Sequence, residues 1–135
     1  MSLFDEYSKD PVATWKALNA KTLSQLDSEG VIDEVVLVAE EIVRRVHHNL
    51  TLVVERLTNV GYEFSEPDRV LAPPSDDVEA LLSQLDQLSG RCETQGHRGK
   101  PLAPILRAWY RRIGCVDLTG SHPAWPVPEV KPGKE

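Results

Sequence analysis

The sequence predicts a mostly α fold, or α+β with a minor sheet: four helices, one long and amphipathic over about residues 31–60, plus short strands near 62–64 and 115–118. Three observations carry this. Apolar residues recur at helical spacing through most of the first 90 residues. The β-branched run at 31–60, which by propensity would suit strands, fails a period of two. Gly and Pro then break the second half into short pieces, leaving room only for brief strands.

Asp10-Pro11 opens the first helix. Asp is a good N-cap, and Pro at the first helical position gives up an N–H that has no partner there. Val12, Trp15, Leu18, Thr22, Leu23 and Leu26 come next at helical spacing, extending the element to about Leu26. Asp27-Ser28-Glu29-Gly30 breaks it, and Ser28 stands where it could cap the second helix. On a wheel of ~100° per residue, Ile32, Val35, Val36, Ala39, Ile42, Val43, Val46, Leu50, Val53, Val54, Leu57 and Val60 share an arc of about 120°. Glu40 with Arg44, and Glu41 with Arg45, stand four apart in the favourable order. Gly61 is the stop. At ~1.5 Å per residue this helix reaches about 45 Å, so it kinks or needs a partner for its far end.

Tyr62-Glu63-Phe64 reads as a short strand or anchoring turn, and Pro67, Pro73 and Pro74 make 65–74 an irregular connector. Ser75 or Asp76 caps a third helix with Val78, Leu81, Leu82, Leu85 and Leu88 on one face, stopped by Gly90. Residues 91–100 read as an exposed loop. The fourth helix spans Pro104 to Gly114, with Ile105, Leu106, Trp109, Tyr110 and Ile113 inward and Arg107 and Arg111 outward. Residues 115–118 alternate as a small strand. One helical-rich domain over 1–122 is expected, with a Pro-rich extended tail over 123–135.

Charge and composition exclude several classes. No stretch approaches the ~20 apolar residues of a membrane span, and the acidic, polar start MSLFDEYSKD is unlike an export signal. Two cysteines cannot make a disulfide scaffold, so free thiols in a reducing cytoplasm are expected. The net charge of −6 is unevenly placed. Residues 1–90 hold 7 Lys and Arg against 17 Asp and Glu, a net −10; residues 91–135 hold 8 against 4, a net +4.

Cys92, His97, Cys115 and His122 are the side-chain types of a tetrahedral zinc site, but they lack the close Cys pair that lets one knuckle present two ligands. Loop or packing cysteines and surface histidines explain them as well, and neither metal nor cofactor is expected. His47 and His48 lie about 100° apart on the long helix and cannot face one ion from it. No nucleophile elbow or glycine-rich phosphate loop occurs, so no residue receives a catalytic role. Pro123-Ala124-Trp125-Pro126 fits the loose P-x-x-P spacing of proline-motif ligands, although Trp125 could equally fold back on the core.

Two surfaces remain. Arg91, Arg98, Lys100, Arg107, Arg111 and Arg112, with Trp109 and Tyr110 among them, resemble a nucleic-acid surface, yet such a patch can also dock on the chain's own acidic helix. The long apolar stripe suits a helix–helix interface, and its length against the few short elements available points to self-association. The residues expected to meet a partner are Glu40, Glu41, Arg44, Arg45, His48, Arg107, Arg111 and Arg112.

The stretch PLAPILRAWYRRIGCVDLTGSHPAW, residues 101–125, resembles a segment of the bacterial SMI1/KNR4-like (SUKH) superfamily. In it a Pro precedes a short aromatic-bearing helix, a Gly ends that helix and a strand comes after it; here these are Pro104, Trp109-Tyr110, Gly114 and Val116 to Leu118. The Pro-to-Gly spacing is shorter than in that pattern. The resemblance implies a non-enzymatic module that works by protein–protein contact, as immunity proteins do against toxins. The expected function is therefore a protein-interaction module, of immunity or regulatory type, meeting another protein or a second copy through the long helix, with no membrane partner. Nucleic-acid binding through 91–112 is the alternative.

Overall fold

The computed structural model describes residues 1–93 and 103–125. Six α-helices and four two-residue strands occur in them, in the order α1 (Leu3–Lys9), α2 (Pro11–Asn19), α3 (Leu23–Ser28), α4 (Ile32–Asn59), β1 (Glu63–Phe64), β2 (Leu71–Ala72), α5 (Val78–Glu93), α6 (Pro104–Arg112), β3 (Cys115–Val116) and β4 (Gly120–Ser121). The mostly helical class with a minor sheet holds; six helices replace the expected four. No helix among the described residues is long and apolar enough to cross a membrane.

The extra helices come from the N-terminus. α1 starts at a capping box in which the Ser2 hydroxyl accepts the Asp5 N–H at 3.2 Å and the Ser2 N–H donates to the Asp5 carboxylate at 3.3 Å. Seven residues do not hold a helix alone. Packing does: Tyr7 is buried among α4 side chains, and the Leu3 N–H donates to Glu34 at 2.8 Å. Asp10 caps α2 as expected, accepting the Ala13 N–H at 3.0 Å. The single helix expected over 10–26 is two, because Thr22 opens a second capping box with Gln25, at 3.2 and 2.8 Å.

α3 and α4 end alike. Gly30 and Gly61 have φ of 69° and 85°, where a Cβ is strained, and each comes after a helix whose last carbonyls are taken by the next two N–H groups. At the end of α4, Gly61 donates to Thr58 at 3.0 Å and Tyr62 to Leu57 at 2.9 Å.

α4 carries two cores. Val35 and Val38 close the first with Tyr7, Leu18 and Leu26 from α1, α2 and α3. Ala39 and Val43 close the second with Ala108 of α6 and Ile113, flanked by Val46, Leu50, Leu71, Ile105, Trp109 and Val116. The buried face is rotated from the expected arc, since Val38, outside that arc, is fully enclosed while Val53 and Val60, inside it, are 42% and 59% exposed.

The connector is more ordered than its prolines suggest. Residues 62–72 run antiparallel to 115–121, with Glu63 opposite Ser121, Phe64 opposite Gly120, Leu71 opposite Val116 and Ala72 opposite Cys115. Between the two ladders, residues 65–70 face only 117–119, and the surplus is taken up by the three-residue 3₁₀ turn Pro67–Arg69. Asp117 tightens the short side by accepting the Thr119 N–H at 3.0 Å and hydroxyl at 2.6 Å. A Cβ at Gly114 would collide with the Pro73 carbonyl, so the joint from α6 into β3 lies directly on the connector.

Gly90 does not stop the third expected helix: α5 runs through it to Glu93, so residues 91–93 are helical rather than loop. One interior Gly costs only ~1 kcal/mol. The rest of the expected loop, 94–100, and residues 126–135 of the expected tail lie outside the described residues.

Candidate interaction surface

α5 and α6 lie side by side and antiparallel, joined by two ion pairs. Arg107 donates to Asp86, and Arg111 donates through Nε to Glu79 at 2.9 Å and through Nη2 at 3.3 Å. The Arg107 hydrogen bond holds the Asp86 carboxyl below the ordinary range, and Asp86 in turn raises Arg107. Of the two arginines expected outward, Arg107 is half-buried and Arg111 exposed, and they pair with carboxylates 21 and 32 residues earlier in the chain. Acidic and basic parts of the sequence thus meet at this seam.

Four large apolar side chains are exposed on these two helices. With residue 86 beside 107 and 79 beside 111, Leu88 lies at the level of Leu106 and Leu81 at that of Tyr110. Leu81, Leu88, Leu106 and Tyr110 are 39%, 55%, 46% and 36% exposed. Leu106 and Tyr110, expected inward, face out because α6 spends its inner face, Ile105, Ala108 and Trp109, on α4 and the next flank on α5. Leu81 and Tyr110 also line a shallow, mainly apolar groove with Pro73, Pro74, Val78 and Ile113. Asp76 and Asp77, both exposed, stand at its end ahead of α5.

Elsewhere the expected partner residues are largely occupied. Glu41 alone bridges both arginines, accepting from Arg44 at 2.7 and 2.8 Å and from Arg45 at 2.8 Å. Arg44 thus turns to Glu41 rather than to Glu40, its expected partner. These bonds pull the Glu41 carboxyl down to about 2, with Arg44 the larger cause. Arg45 also lies over the Tyr7 ring, 5.0 Å from its centroid. Glu40 lines a small polar depression with Ala108, Arg111 and Arg112, while His48 is exposed on α4.

The Cys/His set does not assemble where it can be traced. His97 and the Cys92 side chain lie outside the described residues. Cys115 is approached by Arg69 Nη2 at 3.8 Å. Both ring nitrogens of His122 are engaged: Nε2 bonds the Val60 carbonyl at 2.7 Å, and Nδ1 accepts the Ala124 N–H at 3.0 Å. Among the described residues no group of three His, Cys, Asp or Glu side chains could hold a metal ion.

The exposure of Leu81, Leu88, Leu106 and Tyr110 is the feature that sequence reasoning does not find. Its signal is faint: Leu81 and Leu88, seven apart on α5, sit on one flank of the apolar arc. Comparison with protein-family models, curated proteins and solved structures found no match.

Proposed function

We propose that the protein is a non-catalytic protein–protein interaction module whose contact surface is the α5–α6 seam, and whose partner is a basic protein with an apolar contact of its own. The supporting observation is that Leu81, Leu88, Leu106 and Tyr110 are all exposed on two paired helices, with Leu81 and Tyr110 lining one apolar groove. Single exposed apolar residues are ordinary on a soluble surface; several on one pair of helices, with an apolar groove beside them, mark a contact site. Exposed Asp76 and Asp77 at one end, on a chain of net charge −6, favour a partner of opposite charge and speed its approach. The resemblance of residues 101–125 to the SUKH superfamily supports the same reading and narrows it to an immunity-type protein that blocks a basic toxin.

Position-specific crosslinking tests this. A photo-crosslinking residue placed in turn at Leu88, Leu106 and Glu55 should capture one and the same polypeptide from the first two sites and not from the third. That polypeptide, purified, should bind wild-type protein and lose at least tenfold in affinity for Leu81→Glu and Leu106→Glu. Unchanged affinity in both variants would overturn the assignment of the surface. Salt-dependent binding of random DNA or RNA by the full chain would favour nucleic-acid binding instead; with Arg107 and Arg111 paired to carboxylates, none is expected.

A further inference from the structure

We propose that the turn from His122 to Trp125 is a proton-operated latch: neutral His122 holds Trp125 against Tyr62 at the end of α4, and protonation of the ring frees Trp125 while leaving the ring bound to α4.

The two hydrogen bonds of the ring define its state. A backbone carbonyl only accepts, so Nε2, 2.7 Å from the Val60 oxygen, carries a proton. A backbone N–H only donates, so Nδ1, which accepts from Ala124 at 3.0 Å, carries none. The geometry admits one tautomer, the neutral Nε2–H form. The turn closes on itself through the Trp125 N–H and the His122 carbonyl, at 2.9 Å. The indole then rests on the imidazole, with ring centroids 5.0 Å apart, and on Tyr62 at 5.9 Å. Tyr62 is itself fixed, by its hydroxyl on the Leu118 carbonyl at 2.8 Å and by an edge contact with Phe64. Trp125 remains 57% exposed, and these are the contacts that hold it among the described residues.

A second proton on the ring acts on the two bonds with opposite sign. At Nε2 the bond to Val60 becomes charge-assisted, and it lies at the C-terminus of α4, where the helix dipole favours a cation. At Nδ1 a new N–H faces the Ala124 N–H, donor against donor, and that bond is lost. The charged ring attracts the indole face 5.0 Å away, which opposes release. Against it, the donor–donor contact drives Ala124 off Nδ1, and the Trp125 N–H, which closes the same turn on the His122 carbonyl, leaves with it while the ring stays on α4. The group set free is the indole of the Pro123-Ala124-Trp125-Pro126 run.

The surroundings leave this response to the ring. The titratable groups on the elements packed against it are Arg56 in the last turn of α4, and Tyr62 and Glu63 of the connector. The Tyr62 hydroxyl is already bonded to a carbonyl. Glu63 pairs with Ser121 and, by strand alternation, projects from the opposite face of the ribbon. Among the described residues His122 makes no ion pair.

The test is a residue-resolved NMR titration of the full chain from pH 8 to 5, the range in which imidazoles change charge. At pH 8 the His122 ring nitrogens should report Nε2 protonated and Nδ1 bare. On acidification the exchange protection of the Ala124 amide should fall about fivefold, the size of one lost hydrogen bond, together with a shift of the Trp125 indole resonance. Both should share the midpoint of the His122 ring, while Gly61 and Tyr62 keep their protection. The opposite tautomer at pH 8 would overturn the proposal, as would Ala124 and Trp125 changes that do not track His122. So would parallel loss at Gly61 and Tyr62, which would mean that acid only frays α4. His122→Gln should abolish the pH response of Trp125, and a retained response overturns the proposal; if that variant fails to fold, the wild-type titration decides alone.

Discussion

α4 is one continuous helix with two unlike halves. Its N-terminal half is enclosed: Val35, Val38, Ala39 and Val43 are all buried, with α1–α3 on one side and α6 on the other. Its C-terminal half bears a similar apolar stripe, Leu50, Val53, Val54, Leu57 and Val60, but every one of these is at least partly exposed. Both halves carry valine and leucine at helical spacing, although the first holds six charged residues and the second two. The difference lies in what covers them: α6 is nine residues long, about 13 Å, and cannot accompany a helix of 28 residues to its end. Beyond it, among the described residues, only the ribbon and the His122 turn reach α4. A valine in the first half and a valine in the second therefore contribute unequally to stability.

The largest expected effect tests that inequality directly. Val38→Ala removes two methyl groups from a site with no exposure and should cost about 2–3 kcal/mol, the sum of lost transfer energy and a cavity. Val53→Ala removes the same atoms from a residue 42% exposed and should cost a few tenths of a kcal/mol. Urea unfolding of the two variants measures both, and equal losses would mean that the far half is covered in solution, as by a second copy of the chain. A concentration-dependent midpoint for the wild type would identify that cover as self-association.

The next effect is smaller and should not distinguish the halves. Gly30 and Gly61 hold the same left-handed conformation after α3 and α4. Gly30→Ala meets nothing within 4 Å, and the nearest atom to a Cβ at Gly61 is His122 Nε2 at 3.7 Å, so the cost at each is that of the backbone conformation, about 1–2 kcal/mol. Thermal unfolding should show similar losses. A markedly larger loss at Gly61 would mean that the contact with His122 matters more to the end of α4 than its bond lengths suggest.

Much of this architecture was legible because its causes are local. Asp10-Pro11, the period of 31–60, Gly30 and Gly61 each act within a turn of themselves, and each appears where the sequence puts it. Ser2-x-x-Asp5 and Thr22-x-x-Gln25 are equally local capping signals, and reading them would have separated α1, α2 and α3. Other features are not local. Val38 is enclosed because three short helices arrive on its side of α4, and nothing in residues 31–60 states where they come from. The ribbon pairs 63–72 with 115–121 across more than forty residues in two-residue ladders, too short to leave a pattern. Arg107 and Arg111 are helical neighbours in sequence, but Asp86 and Glu79 decide whether they are free, and with them the character of the surface.

Acid should weaken the enclosed half through Glu41. Its carboxyl titrates at about 2 in the folded chain against an ordinary 4.5, so the unfolded state takes up this proton first. The stabilisation it contributes is complete above pH 4.5 and is lost as pH falls from there through 2. Glu41→Gln removes that component. At pH 7 the variant should be less stable than the wild type by about 1 kcal/mol, and the gap should close as pH falls below 4. A constant gap down to pH 2 would place the acid sensitivity elsewhere.

The smallest effect separates the two arginines that share Glu41. Among the described residues Arg44 meets only that carboxylate and is otherwise in solvent, so Arg44→Ala should lose part of the Glu41 component and destabilise less than Glu41→Gln does. Arg45 makes the same kind of bond and also caps the Tyr7 ring at 5.0 Å, which ties α4 to the buried face of α1. Arg45→Ala should therefore cost about 0.5–1 kcal/mol, from the lost cation–π contact and the apolar surface its stem covers. Combining each with Tyr7→Leu in a double-mutant cycle isolates the cause: coupling is expected for Arg45 and not for Arg44. If Arg44 couples as strongly, the link runs through the shared carboxylate, and the enclosure of the N-terminal half of α4 owes more to charge than to the packing of α1.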